Sequence, residues 1–220
     1  MVTGDIFPEL MTIYCDFLAI PLCSIYNEIS ETKVWPILWK MEFVTVIPKC
    51  THPSGFGDLR NISCTMLASK VYESYVLQWT QRLVKTKKNQ FGGVKGCGTA
   101  HLLVEVWQKI LTDLEDHRAG SVLTAIDYAK AFNRLSFPKC LRAFAKHGAS
   151  TEIIQILATF LTNRAMSVRV GKAWSEPKAV MGGCPQGSIL GVFLFNVATD
   201  FLEDGEGAVG EPEGLSLIHI

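Results

Sequence analysis

Long uninterrupted apolar runs, closely spaced cysteine pairs and an excess of either charge are all missing from this sequence. Lys and Arg total 21 and Asp and Glu total 21, so the whole-chain balance carries no pull toward nucleic acid. No C-x-x-C pair occurs among the seven cysteines, at positions 15, 23, 50, 64, 97, 140 and 184, which leaves a zinc site unsupported. Scattered and odd in number, they read as small apolar core residues of a reducing compartment. Ile13 to Ile25 is apolar but holds Asp16 and Pro21, and it is too short to span a bilayer, so no membrane role is expected. Met1 is followed by Asp5, Pro8 and Glu9 rather than by a basic region and an apolar core, so no signal peptide is expected either. An intracellular setting, nuclear or cytoplasmic, fits both absences. No internal repeat is present.

What is present suits a folded domain. Hydrophobic residues make up 48% of the 220 positions and charged residues 19%, enough for a sizeable core and too little charge for disorder. The charge is unevenly spread. Ser74 to Val104 holds no acid but carries Arg82, Lys85, Lys87, Lys88 and Lys95, whereas Asp200 to Glu213 holds six acids and no Lys or Arg. The basic region is one that could meet phosphates.

The periodicity predicts an α+β order. Pro8 to Ser30 has helical spacing as a core-facing helix that Pro21 should kink or split. Trp39 to Lys49 reads as a strand stopped by Pro48. Thr65 to Val84 is a helix with Leu67, Val71, Tyr75 and Leu77 on or near one face, and Thr99 to His117 a second, amphipathic one. His101 reads as a positioning or core histidine. Pro138 opens a short helix, Ser150 or Thr151 caps another, and Ala165–Val170 with Ala173–Val180 reads as two strands turned at Gly171-Lys172. Ser188 to Leu202 is the last helix.

Two stretches carry the chemistry. Ser121 to Arg134 reads S-V-L-T-A-I-D-Y-A-K-A-F-N-R, a short apolar run at Val122–Ile126 that looks like a buried strand ending in Asp127. A carboxylate there costs desolvation unless a cation or donor meets it. Fifty-odd residues later, Met181 to Asn196 reads M-G-G-C-P-Q-G-S-I-L-G-V-F-L-F-N, a Gly- and Pro-rich loop running into a capped apolar helix. Together they resemble the reverse transcriptase family, most closely its non-LTR retrotransposon branch, whose palm carries D-x-x-x-A-F and then P-Q-G-S-x-L-G-x-x-L-F-N. Two further blocks are similar to the family's: W-K … P-x-x-K … Y-R-P-I-S against Trp39 to Ser63, with Asn61 in place of Pro, and Q-x-G-F … G-x-x-T/S-x-x-H against Gln90 to His101.

The resemblance covers roughly residues 8 to 202 and implies the fingers and partial palm of a right-hand polymerase without its thumb. Residues 1–118 would be fingers-like, 119–202 partial palm, and 203–220 an unstructured or non-homologous tail. It implies an RNA template, a DNA primer and deoxynucleotides as partners, with Mg2+ at Asp127 and the carbonyl of Tyr128. Arg60 and Lys49 would lie near the incoming triphosphate, Phe132 under the sugar, Gln186 against the nucleotide, and Lys85, Lys87, Lys88 and Lys95 along nucleic acid. Asn133 stands where the family often has a second Asp, and its aromatic-x-Asp-Asp hairpin does not occur. Phe201-Leu202-Glu203-Asp204 continues the last helix instead. The expectation is a fragment of an RNA-directed DNA polymerase, inactive alone. The other readings are a non-catalytic nucleic-acid-binding module and a non-functional relic of a retroelement.

Overall fold

The computed structural model describes residues 8–85, 90–115, 122–124, 131–185 and 187–200. Its fold is α+β, a five-stranded mixed sheet with helices.

The sheet is built around strand β1, Met41–Pro48. Alternation puts Glu42 and Val44 against the core and Phe43, Thr45 and Ile47 on the other side. β1 pairs antiparallel with β2 (Leu59–Cys64), with Ile47 opposite Arg60. On its other edge it pairs parallel with β3 (Arg164–Val170), with Thr45 opposite Arg169. β4 (Ala173–Trp174) and β5 (Lys178–Val180) both run antiparallel to β3. The strand expected over Ala173–Val180 is therefore two short pieces. Pro48 ends β1 as expected, since it cannot donate to a ladder.

Seven helices complete the described residues. α1 (Pro8–Ile13) and α2 (Cys15–Thr32) break at Tyr14, and Pro21 lies inside α2 without splitting it. Pro21 removes a bond to the Phe17 carbonyl, but Phe17 is 78% exposed, so water can take that place. This segment faces the core only in part: Ile13, Phe17 and Ile20 face out, whereas Met11, Leu22 and Tyr26 pack against the core and Ile29 is buried.

α3 (Leu67–Leu83) buries Tyr72 and Val76, while Val71 and Tyr75 are exposed, so its inner stripe lies one residue beyond the expected one. α4 (Thr99–Glu115) buries only Leu102. α5 (Phe137–Lys146), α6 (Thr151–Leu161) and α7 (Ile189–Thr199) start where their signals place them. Ser150 Oγ accepts the Ile153 N–H, and Ser188 Oγ accepts that of Gly191 at 2.9 Å. α7 is apolar nearly all round, which suits a helix buried between α3 and α5. Its Leu190 and Leu194 are fully buried, each contributing roughly 1.5–3 kcal/mol.

Three expectations fail here. Val122 and Leu123 are 94% and 71% exposed and lie in no strand, because no strand among the described residues pairs with them. The remainder of that stretch, with Asp127 and Tyr128, lies outside the described residues. Only Cys140 and Cys184 are core residues. The other five cysteines are exposed, because they fall on turns, outward strand positions and solvent-facing helix faces. His101 is exposed on α4 rather than in the core, since that helix turns only Leu102 inward.

Candidate functional site

A groove of about 980 Å³ opens at the C-terminal ends of β1 and β3. Lys49, Arg60, Arg169, Phe132 and Asn133 line it, and among the described residues no carboxylate does. Three cations, of which only Lys49 has the Asp58 carboxylate close enough to feel its charge, suit an anion, because a guanidinium presents fixed donors to phosphate or carboxylate oxygens.

Each cation is set by its strand. Lys49 follows the Pro48 stop. Its backbone N–H donates to the Asp58 carbonyl at 2.7 Å and its Nζ to the Gly57 carbonyl at 2.9 Å. The loop between is fastened by Asp58, whose carboxylate accepts from the Ser54 N–H and hydroxyl at 2.8 and 2.9 Å. Those bonds, the Ser54 N–H first, hold the Asp58 carboxyl below the usual carboxylate range. Arg60 sits exposed on β2, in register with Ile47. Arg169 donates from Nε to the Gly171 carbonyl at 2.9 Å, which leaves both terminal nitrogens of the guanidinium for other acceptors.

The Phe132 segment and the Gly-Pro loop form one unit. The Phe132 carbonyl accepts the Cys184 N–H at 3.0 Å, and the Leu135 carbonyl accepts that of Gly183 at 2.8 Å. The Phe132 ring lies 5.5 Å from that of Phe195 on α7. Gly183 has φ +87°, and a Cβ there would come within 2.8 Å of the Phe132 carbonyl. At Gly187 φ is +123°, and a Cβ would meet the Ser63 carbonyl of β2 at 2.6 Å. So both sequence stretches and the β1–β2 pair are locked together without room for a methyl group. The Gln90 block joins them too, since Asn196 of α7 donates to the Gly92 carbonyl at 2.7 Å.

Two residues of this unit escaped the sequence reading. Glu73 of α3 is fully buried, and its Oε2 accepts the Ile189 N–H at 2.7 Å and the Leu190 N–H at 3.3 Å. Ser69 donates to its other oxygen. A carboxylate at a helix start suits the positive end of the dipole. Burial still pushes the Glu73 carboxyl up, against those bonds and Arg164. The available signal was an acid within the Tyr72–Val76 stripe. Arg169 was read only as part of a strand. The signal there was alternation, which sends it to the same side as Trp174.

Of the expected site residues, Lys49, Arg60 and Phe132 come together in the groove. Lys85 and Lys95 are exposed and do not line it. Asp127, Tyr128, Gln186, Lys87 and Lys88 lie outside the described residues. Among the described residues no three His, Cys, Asp or Glu side chains assemble a metal site, and the groove's own lining fits an anion rather than a cation. No helix among them is long and apolar enough to cross a membrane.

The family model "Reverse transcriptase (RNA-dependent DNA polymerase)" matches residues 47–205. A probable RNA-directed DNA polymerase from transposon BS of Drosophila melanogaster is 28% identical over 183 residues, covering 81% of this chain and 20% of that protein. The RNA-directed DNA polymerase from mobile element jockey of Drosophila funebris is 33% identical over 206 residues, 90% of this chain and 22% of that protein. Its Drosophila melanogaster counterpart is 28% identical over 184 residues, 80% and 20%. The chain thus spans about a fifth of the length of the curated relatives it matches. The matched span runs from the end of β1 through β2, β3 and α7, and the chain belongs to the reverse transcriptase family, in its LINE-like, non-LTR retrotransposon branch.

Proposed function

We propose that this chain is the fingers (residues 1–118) and the front of the palm (119–202) of an RNA-directed DNA polymerase, with 203–220 outside both. The complete enzyme adds deoxynucleotides to a DNA primer on an RNA template. The observation that carries this is the shared groove. Lys49 and Arg60 from one family block and Phe132 from another line one cavity, and the loop bearing Gln186 is hydrogen-bonded to the Phe132 segment.

Arg60 and Lys49 hold the triphosphate oxygens, Arg60 as a rigid fork and Lys49 as a point charge. Phe132 lies under the sugar, where its ring leaves no room for a 2′-hydroxyl, so deoxynucleotides are selected. Gln186 contacts the nucleotide from its Gly- and Pro-shaped loop. The primer's terminal oxygen then bonds to the α-phosphorus as the bond to the leaving pyrophosphate breaks. Asp127 and the Tyr128 carbonyl would hold magnesium, which would supply charge neutralisation at the transferring phosphoryl group. Two or three carboxylates are needed for that, and no Asp-Asp pair occurs in these 220 residues, so the chain by itself gives no primer extension.

The test is competition between deoxyadenosine and adenosine triphosphates for the purified chain, read by equilibrium dialysis. Arg60→Ala weakens both by about tenfold or more, the worth of a charge-assisted hydrogen bond of ~1.5–3 kcal/mol. Phe132→Ala abolishes the preference for the deoxy form. Triphosphate binding indifferent to both substitutions sinks the reading. Primer extension with magnesium that Asp127→Ala abolishes overturns the inactivity.

A further inference from the structure

The sheet has a second face, opposite Glu42 and Val44. On that side alternation places Phe43 and Ile47 of β1, Arg60 and Ile62 of β2, Arg169 of β3 and Trp174 of β4. Ile47, Ile62 and Trp174 are exposed, Trp174 by 44%. Arg169 and Trp174 are directly paired across the hairpin, and the guanidinium lies 5.7 Å from the centre of the indole. Phe43 meets the indole at right angles, with centroids 5.5 Å apart, which fixes the ring. The hairpin is pinned as well: Ser167 donates to the Ser175 carbonyl at 2.6 Å, and the Ser175 N–H donates to the Val168 carbonyl. No carboxylate occupies this face at any paired strand position.

We propose that Arg169 and Trp174 form a stacking platform for an unpaired base of a single nucleic-acid strand, with the terminal nitrogens of Arg169 on the adjacent phosphate. This deepens the polymerase reading, on which it rests for the identity of the strand as the template. Three features select this occupant. A fixed, half-open indole under a guanidinium offers a planar surface, and an unpaired base exposes a face to stack on it where a paired base does not. Arg169 lies beside the apolar strip of Ile47 and Ile62 and brings a charge for the phosphate next to the stacked base. Arg169 also lines the groove, so the strand and the nucleotide site adjoin.

The test is fluorescence anisotropy of a short fluorescein-labelled single-stranded RNA with the purified chain, using the same RNA as a duplex for comparison. Single strand binds tighter than duplex. Trp174→Ala weakens single-strand binding about five- to 150-fold, the stacking worth of one base, and Trp174→Phe restores most of it. Arg169→Gln lowers the slope of log affinity against log salt by about 0.7. Arg169→Lys keeps the slope but loses affinity, because the stacking plane is gone. Circular dichroism of each variant identifies any loss that comes from unfolding, and a variant that unfolds is replaced by the Trp174→Phe and Arg169→Lys pair. Absence of RNA binding, equal binding of duplex, or insensitivity to Trp174→Ala overturns the platform. The triphosphate competition is read separately. RNA binding without triphosphate binding fails only the nucleotide site, and the reverse fails only the platform.

Discussion

Glu73 is held in place by the helix it caps. An acid in an apolar interior prefers its neutral form, and burial raises the Glu73 carboxyl above its ordinary value. Between the ordinary value of the unfolded chain and the raised value of the folded one, the folded state keeps a proton that the unfolded state has released. Stability from this group is therefore full below the unfolded value and is lost as pH rises through the folded value. Glu73→Gln has no such loss. Urea unfolding from about pH 4 to about pH 8 is expected to show the wild-type free energy falling relative to the variant's across that window. Parallel curves would mean that the Ile189 and Leu190 N–H groups hold the carboxylate charged throughout.

At the scale of elements, the Gly-Pro loop is the tightest joint. Gly187→Ala combines an unfavourable φ with a methyl group 2.6 Å from the Ser63 carbonyl, which belongs to a paired strand and cannot move freely. A destabilisation of about 1–3 kcal/mol is expected, a fall in melting temperature of roughly 2–12 °C for a chain of this size. Gly171→Ala also has a positive φ, +61°, but open space around it, and should cost less. Equal melting temperatures for the two variants would remove the packing argument. Elements with local start signals were legible in the sequence. Ser150, Ser188 and Pro138 mark α6, α7 and α5, and Gly171-Lys172 marks the hairpin. What the sequence hid was non-local. The inner face of α3 is set by Tyr26 and Trp35 packing on Tyr72 and by the α7 start bonding to Glu73, and no period in residues 67–83 carries that. The groove was half legible: its family blocks pointed to Lys49, Arg60 and Phe132, whereas Arg169 enters it only through the parallel pairing of β1 with β3.

That same parallel pairing brings a buried ion pair into the middle of the molecule. Arg164 of β3 donates from Nε to Glu42 of β1 at 2.9 Å and from a terminal nitrogen to the Phe160 carbonyl of α6 at 3.0 Å, with its guanidinium 5.0 Å from the Phe160 ring centre. Both partners are almost wholly buried. Glu73 and Cys184 feel the same charge, Glu73 drawn down by it and Cys184 pushed up to about 12 mainly by burial. A buried pair of this kind adds little over apolar residues of the same size, because desolvation offsets the attraction, but removing one partner strands the other. Arg164→Met alone should therefore destabilise the chain by about 3–5 kcal/mol, and Arg164→Met with Glu42→Leu by clearly less. Urea unfolding of the wild type, both single variants and the double variant gives the coupling energy directly. Additive losses would mean that Arg164 is held by Phe160 rather than by Glu42, and that β1 and β3 are joined by their backbone ladder alone. A large coupling would mean that the two strands lining the groove are also held in register by charge, from the side that faces the core.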